Sequence, residues 1–474
     1  MQVFWMPGMR GNMQVGFPFT WLNDDKRWVP RSDTFLRPPD APPVREVWNE
    51  VCIRCHATAG QSRLDPADGT YRTRAAELGI ACEACHGPGE THVRARRQGQ
   101  SAVLKRPHKN SDPTVVYPPG LDHRRSSEIC GNCHSIKWFE ANAHWREHGF
   151  DFLPGEELDK FTPVVRPSQI DKQPWLNGVL SKQPELFRDF FWPDGMIRVS
   201  GREYNGLIES PCFQKGSLSC LSCHSMHESD PNQQLGKGME GNGACLQCHT
   251  SMKQNVSAHT HHLADSSGSL CYNCHMPHTT YGLLKAIRSH QVDSPGLKAS
   301  LATGRPNACN LCHLDKTLAW TQDNLSQWPR VEKVDLTHEQ RTVSAGVLWA
   351  TKGDAAERAI TAWHMGWEPA RLTSGVEWMP PYIFELLDDP YSAVRYIGAQ
   401  SLRKSSEYRN LSYDYMSDRN VRRQTTDSLR DLWQSGSKAK GRPELLIEPN
   451  GQIDRNKLSE LLQQRDLKAV HLRE

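Results

Sequence analysis

The sequence of 474 residues is short of apolar material for its length: 37% is hydrophobic and the mean hydropathy is -0.66. No apolar run approaches the ~20 residues that a membrane-crossing helix requires, so no transmembrane segment is expected. A charge excess is also lacking. Lys and Arg number 57 against 54 Asp and Glu, a formal +3, which gives no basic character for holding nucleic acid. Residues 1–28 lack a basic segment followed by a continuous apolar core, the pattern of a secretory leader. Val3, Phe4 and Trp5 read instead as part of a folded domain, with the expected start of the gene product upstream of Met1. What is almost absent, finally, is a cysteine outside one pattern: of fifteen, only Cys212 stands alone.

The pattern is Cys-x-x-Cys-His, and it occurs seven times. The copies are Cys52/Cys55/His56, Cys82/Cys85/His86, Cys130/Cys133/His134, Cys220/Cys223/His224, Cys245/Cys248/His249, Cys271/Cys274/His275 and Cys309/Cys312/His313. Two cysteines three residues apart project from one face of a single helical turn, where both reach the vinyl groups of one porphyrin. The adjacent histidine is then carried beneath the ring as the proximal iron ligand. Zinc ribbons would pair the units, and seven cannot pair completely. Neither zinc nor a disulfide framework would require a histidine after every second cysteine. The expected cofactors are therefore seven covalently attached haem c groups.

Covalent haem explains the lean composition, because each buried macrocycle supplies apolar surface that side chains need not provide. Seven haems with ionised propionates would also bring the formal charge to about −4. Haem c is attached outside the cytoplasm, so a periplasmic or extracellular location is expected.

Seven irons need seven further ligands for complete six-coordination, and eleven histidines lie outside the motifs between residues 57 and 312. The distal candidates are His92, His123, His227, His259, His261, His262, His278 and His290, with His108 at similar standing to His123 and His144 and His148 weaker. His227 and His278 follow their proximal histidines by three residues, too close to reach over the same porphyrin, so each is expected at an adjacent haem. In the HTHH cluster, one or two of His259, His261 and His262 are expected to ligate. The count neither demands nor forbids an open iron. The last four motifs follow at intervals of 25, 26 and 38 residues, which forces neighbouring porphyrins close together.

Residues 135–219 carry no motif but are dense in aromatics, and read chiefly as a cover that excludes water from the haems. Cys212 reads as a buried free thiol. At the start of the chain, Gln2–Met6 and Met13–Phe19 flank a Pro-Gly and Gly-Asn turn region, which predicts a hairpin. Beyond Trp328 the pattern turns helical. Asp354 can cap a helix ending near Gly366, Pro381 can start another, and Ser392 follows the Asp388-Asp389-Pro390 turn. A final helix is expected near Arg455–Gln464. The boundaries are 1–48, an N-terminal strand and turn segment read as the truncated start of the haem domain; 49–328, the haem domain; 335–435, helical repeats; and 436–474, a polar tail.

The seven motifs, with CHGPGETH, SCLSCHSMH and CYNCHMPHTTYG, resemble the multihaem cytochrome c superfamily that includes nitrite reductase and hydroxylamine oxidoreductase. LLDDPYSAVRYIGAQSL resembles a HEAT repeat. The resemblance implies a mainly α fold with extensive loops, in which a haem-stacking domain precedes a HEAT-like α-solenoid. It implies an electron relay between redox partner proteins, with the repeat region as a docking or homo- or hetero-oligomer surface. The alternative is an oxidoreductase of small nitrogen or sulfur compounds at one open haem. Two features of those enzymes are missing here: every motif ends in histidine rather than lysine, and neither Tyr204 nor Tyr272 can be assigned as a haem cross-link.

Overall fold

The computed structural model describes residues 1–43, 46–98, 112–138, 144–227, 229–329, 331–436 and 440–472. His108 lies outside them. Among the described residues the chain is mainly helical, with three small antiparallel sheets and no barrel.

Strands β1 (Gln2–Pro7), β2 (Gln14–Leu22) and β3 (Arg27–Pro30) form the first sheet. The expected hairpin forms and a second turn adds β3. Short strands β4 (Ala57–Thr58) and β5 (Glu77–Leu78) pair after the first motif. Helix α1 (His123–Gly131) starts at Asp122, whose side chain accepts from the N–H groups of Arg124 and Arg125. Helix α2 (Glu203–Leu207) packs across it. A Cβ at Gly131 would lie 2.8 Å from the Tyr204 ring, so glycine is what permits this approach. Strands β6 (Thr280–Gly282) and β7 (Lys285–Ile287) close through Leu283 and Leu284, both at positive φ. Leucine has no intrinsic ease there, so tertiary packing holds the turn. Helix α3 (Ala308–Cys312) then carries the seventh motif.

The C-terminal half follows its sequence signals closely. Helices α4 (Ala345–Thr351), α5 (Ala355–Met365), α6 (Glu368–Ser374), α7 (Pro380–Leu387), α8 (Ser392–Arg403), α9 (Arg419–Gly436) and α10 (Arg455–Gln463) follow in order. Asp354 and Glu357 form a reciprocal capping box at the start of α5, and Gly366 ends it. Pro380 and Pro381 fill the first turn of α7, where a missing N–H costs nothing. Ala359, Phe384, Leu387, Val394 and Leu402 are all buried between these helices.

Two expected boundaries need correction. Residues 440–472 are not a polar tail. Leu445, Ile447, Leu461 and Leu472 are buried in the same core as α5 and α7, and the Tyr382 hydroxyl donates to the Leu445 carbonyl. The polar SGSKAKGRP run precedes apolar residues whose irregular spacing hides their burial. Nor is the N-terminal segment set apart with the haem region. Leu22, Val29 and Leu36 join that core too, Leu36 pairs with Leu472, and Gln400 Nε2 donates to Asp25 at 3.0 Å.

A buried ion pair fixes the centre of this half. Arg358 and Asp389 are 1% and 0% exposed, with Nε–Oδ2 at 2.6 Å and Nη2–Oδ1 at 3.1 Å. Arg358 Nη1 also donates to the Gly353 carbonyl at 2.7 Å, and Asp389 accepts from Tyr391 N–H at 3.0 Å. The pair thereby ties α5 to the turn before α8. Asp389→Ala strands a buried guanidinium and should cost about 3–5 kcal/mol. Asp414→Ala, which loses a pair with Arg27 that is exposed on both sides, should cost less than about 1 kcal/mol. Denaturant unfolding followed by far-ultraviolet circular dichroism measures both, and equal losses would refute the assignment.

Candidate functional site

Each motif folds as one helical turn. The histidine N–H donates to the carbonyl of the first cysteine in six of them, from His56→Cys52 at 2.8 Å to His249→Cys245 at 3.0 Å, and Cys271–His275 is itself a short helix. Such a turn carries positions three and four residues apart on one face, as the spacing requires. Local backbone then aims the ring. Nδ1 of His86 lies 2.8 Å from the Val116 carbonyl, that of His224 3.1 Å from Gln233, and that of His275 2.7 Å from Asp293. A carbonyl on Nδ1 fixes the tautomer and leaves Nε2 for a metal.

Four motif histidines are each brought to a histidine from outside the motifs. Ring centres are 6.0 Å apart for His86–His227 and 6.2 Å apart for His224–His290, His259–His275 and His262–His313. The first and third pairs are within 7° of parallel. On the non-motif side, Nδ1 of His290 contacts the Arg288 carbonyl at 3.2 Å and that of His262 the Thr260 carbonyl at 2.6 Å. An iron held by a nitrogen on each side, with bonds of about 2 Å and about 1 Å more to each ring centre, sets two imidazoles roughly 6 Å apart. The donor sets therefore fit a six-coordinate haem iron.

The remaining candidates are placed differently. His92 contacts Asp112 at 2.9 Å and Thr114 at 3.1 Å through Nδ1, leaving Nε2 without an assigned role. His123 Nε2 is engaged by the Phe213 carbonyl at 3.0 Å. His261 lies edge-on to Trp328 at 4.4 Å. His278 is enclosed by Trp363, Trp367 and His364, which hold it 4.8, 5.1 and 5.9 Å away. Burial pushes His278 well below the usual histidine range and His364 to about 3, so both rings are neutral. Among the described residues, His56, His134 and His249 face no second imidazole at such a separation. The rings of His144 and His148 lie 4.6 Å apart, tilted by 41°. Cys212 is free, as expected, but half-buried rather than buried.

The motifs pack against one another through their cysteines. Cys55 Sγ lies 3.6 Å from the Cys133 carbonyl and Cys133 Sγ 3.9 Å from the Cys55 carbonyl, while Cys130 neighbours Cys220 and Cys245 neighbours Cys271. Cys85 lies near Cys130, Cys223 near Cys248, and Cys274 near both Cys309 and Cys312. Every motif thus neighbours another, and the third neighbours the first, second and fourth. These contacts report which turns pack together.

A family model described as a doubled CXXCH motif matches residues 212–254, which hold the fourth and fifth motifs. This stretch binds c-type haem. No curated protein and no solved structure matches the chain.

Supporting contacts brace the motif turns. Arg288 donates to the Tyr272 and Met276 carbonyls at 3.0 and 3.2 Å and to Asn273 Oδ1 at 2.8 Å, holding the sixth motif from behind. Ser374 of α6 donates to the Cys312 carbonyl at 2.7 Å and accepts from Leu314 N–H at 2.9 Å, clamping the seventh motif to the helical half. Sequence reasoning could not supply Arg288, Ser374 or the carbonyls that accept from Nδ1, because each depends on which segments meet. No described helix is long and apolar enough to cross a membrane. Replacing Cys245 and Cys248 together by alanine should remove one covalent haem and leave the rest. Intact mass and the pyridine haemochrome yield measure this, and an unchanged haem content would contradict attachment at the fifth motif.

Proposed function

We propose that the chain is an extracytoplasmic multihaem c-type cytochrome that relays electrons between redox partners, with one haem on each of its seven motifs. The observation that carries this reading is the set of four imidazole pairs at 6.0–6.2 Å, each joining a motif histidine to one from elsewhere. In this reading His56, His86, His134, His224, His249, His275 and His313 are proximal ligands, and His227, His290, His259 and His262 are distal ligands to the second, fourth, sixth and seventh irons. Bound haem supplies a one-electron ferric/ferrous couple. The protein's part is to hold each iron at fixed coordination, so that little rearrangement accompanies a change of charge. The contiguous packing of the motifs keeps successive sites adjacent. Phe152, Tyr204 and Phe213 form a buried cluster against Cys220 that keeps water from this part of the array. The helical half is read as a HEAT-like solenoid that docks a partner protein or a second subunit.

One observation favours a second reading, a reductase or oxidase of small nitrogen or sulfur compounds. His56, His134 and His249 lack a facing imidazole among the described residues, which suits an iron open to a small ligand. The two readings separate in the ferric spectrum. The relay predicts low-spin signals throughout and indifference to cyanide and nitrite; a high-spin signal that shifts on adding nitrite or hydroxylamine favours the enzyme. His227→Ala should convert one iron to high spin at unchanged haem content, read by electron paramagnetic resonance. An unaltered spectrum would remove His227 from the ligand set.

A further inference from the structure

The third motif differs from its neighbours in what its histidine leans on. His86, His224 and His275 each donate from Nδ1 to a neutral backbone carbonyl. His134 Nδ1 instead lies 2.8 Å from Oε2 of Glu203, a carboxylate. Among the described residues no other motif histidine is within ion-pair distance of an acidic side chain.

The carboxylate is held in place from several directions. Gly201 N–H donates to Oε1 at 2.8 Å, from a backbone at φ +75° that favours glycine. Arg202 Nη1 donates to the Gly201 carbonyl at 2.8 Å. Helix α2, which carries Glu203, is pinned to the motif segment itself. Tyr204 N–H donates to the His134 carbonyl at 2.9 Å, and Asn205 Oδ1 accepts from Ile136 N–H at 2.7 Å. Buried Asn205 also donates to the Val165 carbonyl at 2.8 Å. Glu203 is therefore not a surface acid that happens to reach His134. It is aimed by a braced turn and helix start.

We propose that Glu203 is a positioning residue that makes His134 a stronger donor than the carbonyl-bound histidines, and so sets the haem of Cys130/Cys133 at lower potential than theirs. This rests on the haem assignment given above. Sharing the Nδ1 proton with an anion leaves more negative charge on Nε2. A more basic ligand stabilises ferric over ferrous iron, and so lowers the potential. The place of this motif gives the effect a consequence. Its cysteines adjoin the first, second and fourth motifs, so a low-potential centre sits at the junction of the array. Electrons that cross this junction between the first two centres and the last four then meet an uphill step, which makes it a thermodynamic gate on that route.

The test is a spectroelectrochemical titration of the fully haem-loaded protein carrying Glu203→Gln, which keeps the shape and removes the charge. One midpoint should rise while the others stay. The ferric preference at that haem should fall roughly tenfold, about 59 mV for a one-electron couple. Glu203→Asp, which keeps the charge but lengthens the contact, should give a smaller rise at the same haem. If the amide variant does not accumulate, the aspartate variant carries the test alone. A merely structural role would lower stability without moving a single potential. Unmoved midpoints in a variant whose Cys130–Cys133 peptide bears haem overturn the inference alone. A haem-free Cys130–Cys133 peptide in the unmodified protein overturns the haem assignment beneath it.

Discussion

The separation of about 6 Å between paired imidazoles is the constraint from which the rest of the motif region follows. The segments that carry these rings are mostly short turns and loops, with little regular structure to fix their positions. Position comes instead from carbonyl groups that engage Nδ1 and from turns that close on the first cysteine of each motif. In the proposed reading, iron completes the arrangement. Each ligand pair then acts as a cross-link between distant segments, 86 with 227 or 224 with 290. Cross-links that restrict the unfolded chain can stand in for apolar burial, the same logic by which disulfides hold small domains that lack a core.

The helical half solves the problem by ordinary means. Its helices bury alanine, leucine and isoleucine faces, and a fully desolvated ion pair fixes the turn between α7 and α8. The two halves are joined by contacts that do duty in both. Asp354 caps α5 and also pairs at 2.8 Å with Arg198, which is buried beside the motif region. Ser374 closes α6 and grips the seventh motif. The helical region is thus part of the scaffold that positions the last motif, as well as a candidate docking surface.

What could be read from sequence divides along the range of the interactions. The one-turn motif, the Asp354–Glu357 box, the Gly366 stop and the start of α8 are each settled within a few residues, and all stand where the local signals put them. The partners of individual histidines are not local. His227 and His278 occupy the same place relative to their motifs, yet one lies beside His86 and the other within a cluster of Trp363, Trp367 and His364. Glu203 was invisible for the same reason, standing 69 residues from the histidine it orients. The misjudged C-terminal segment shows a different failure. Average polarity over residues 436–474 concealed a few leucines and isoleucines whose burial depends on a groove made by other helices.

The bridge between Leu36 and Leu472 gives the chain a late step of its own making. Segments near both ends of the sequence complete a single core, with every cysteine motif lying between them. Contacts of such sequence separation form slowly, because the intervening chain must be ordered before they reward its closure. The bridge therefore closes only after the chain between residues 36 and 472 has ordered. A contact that spans every motif is in this way placed after the short-range turns on which the motifs themselves depend.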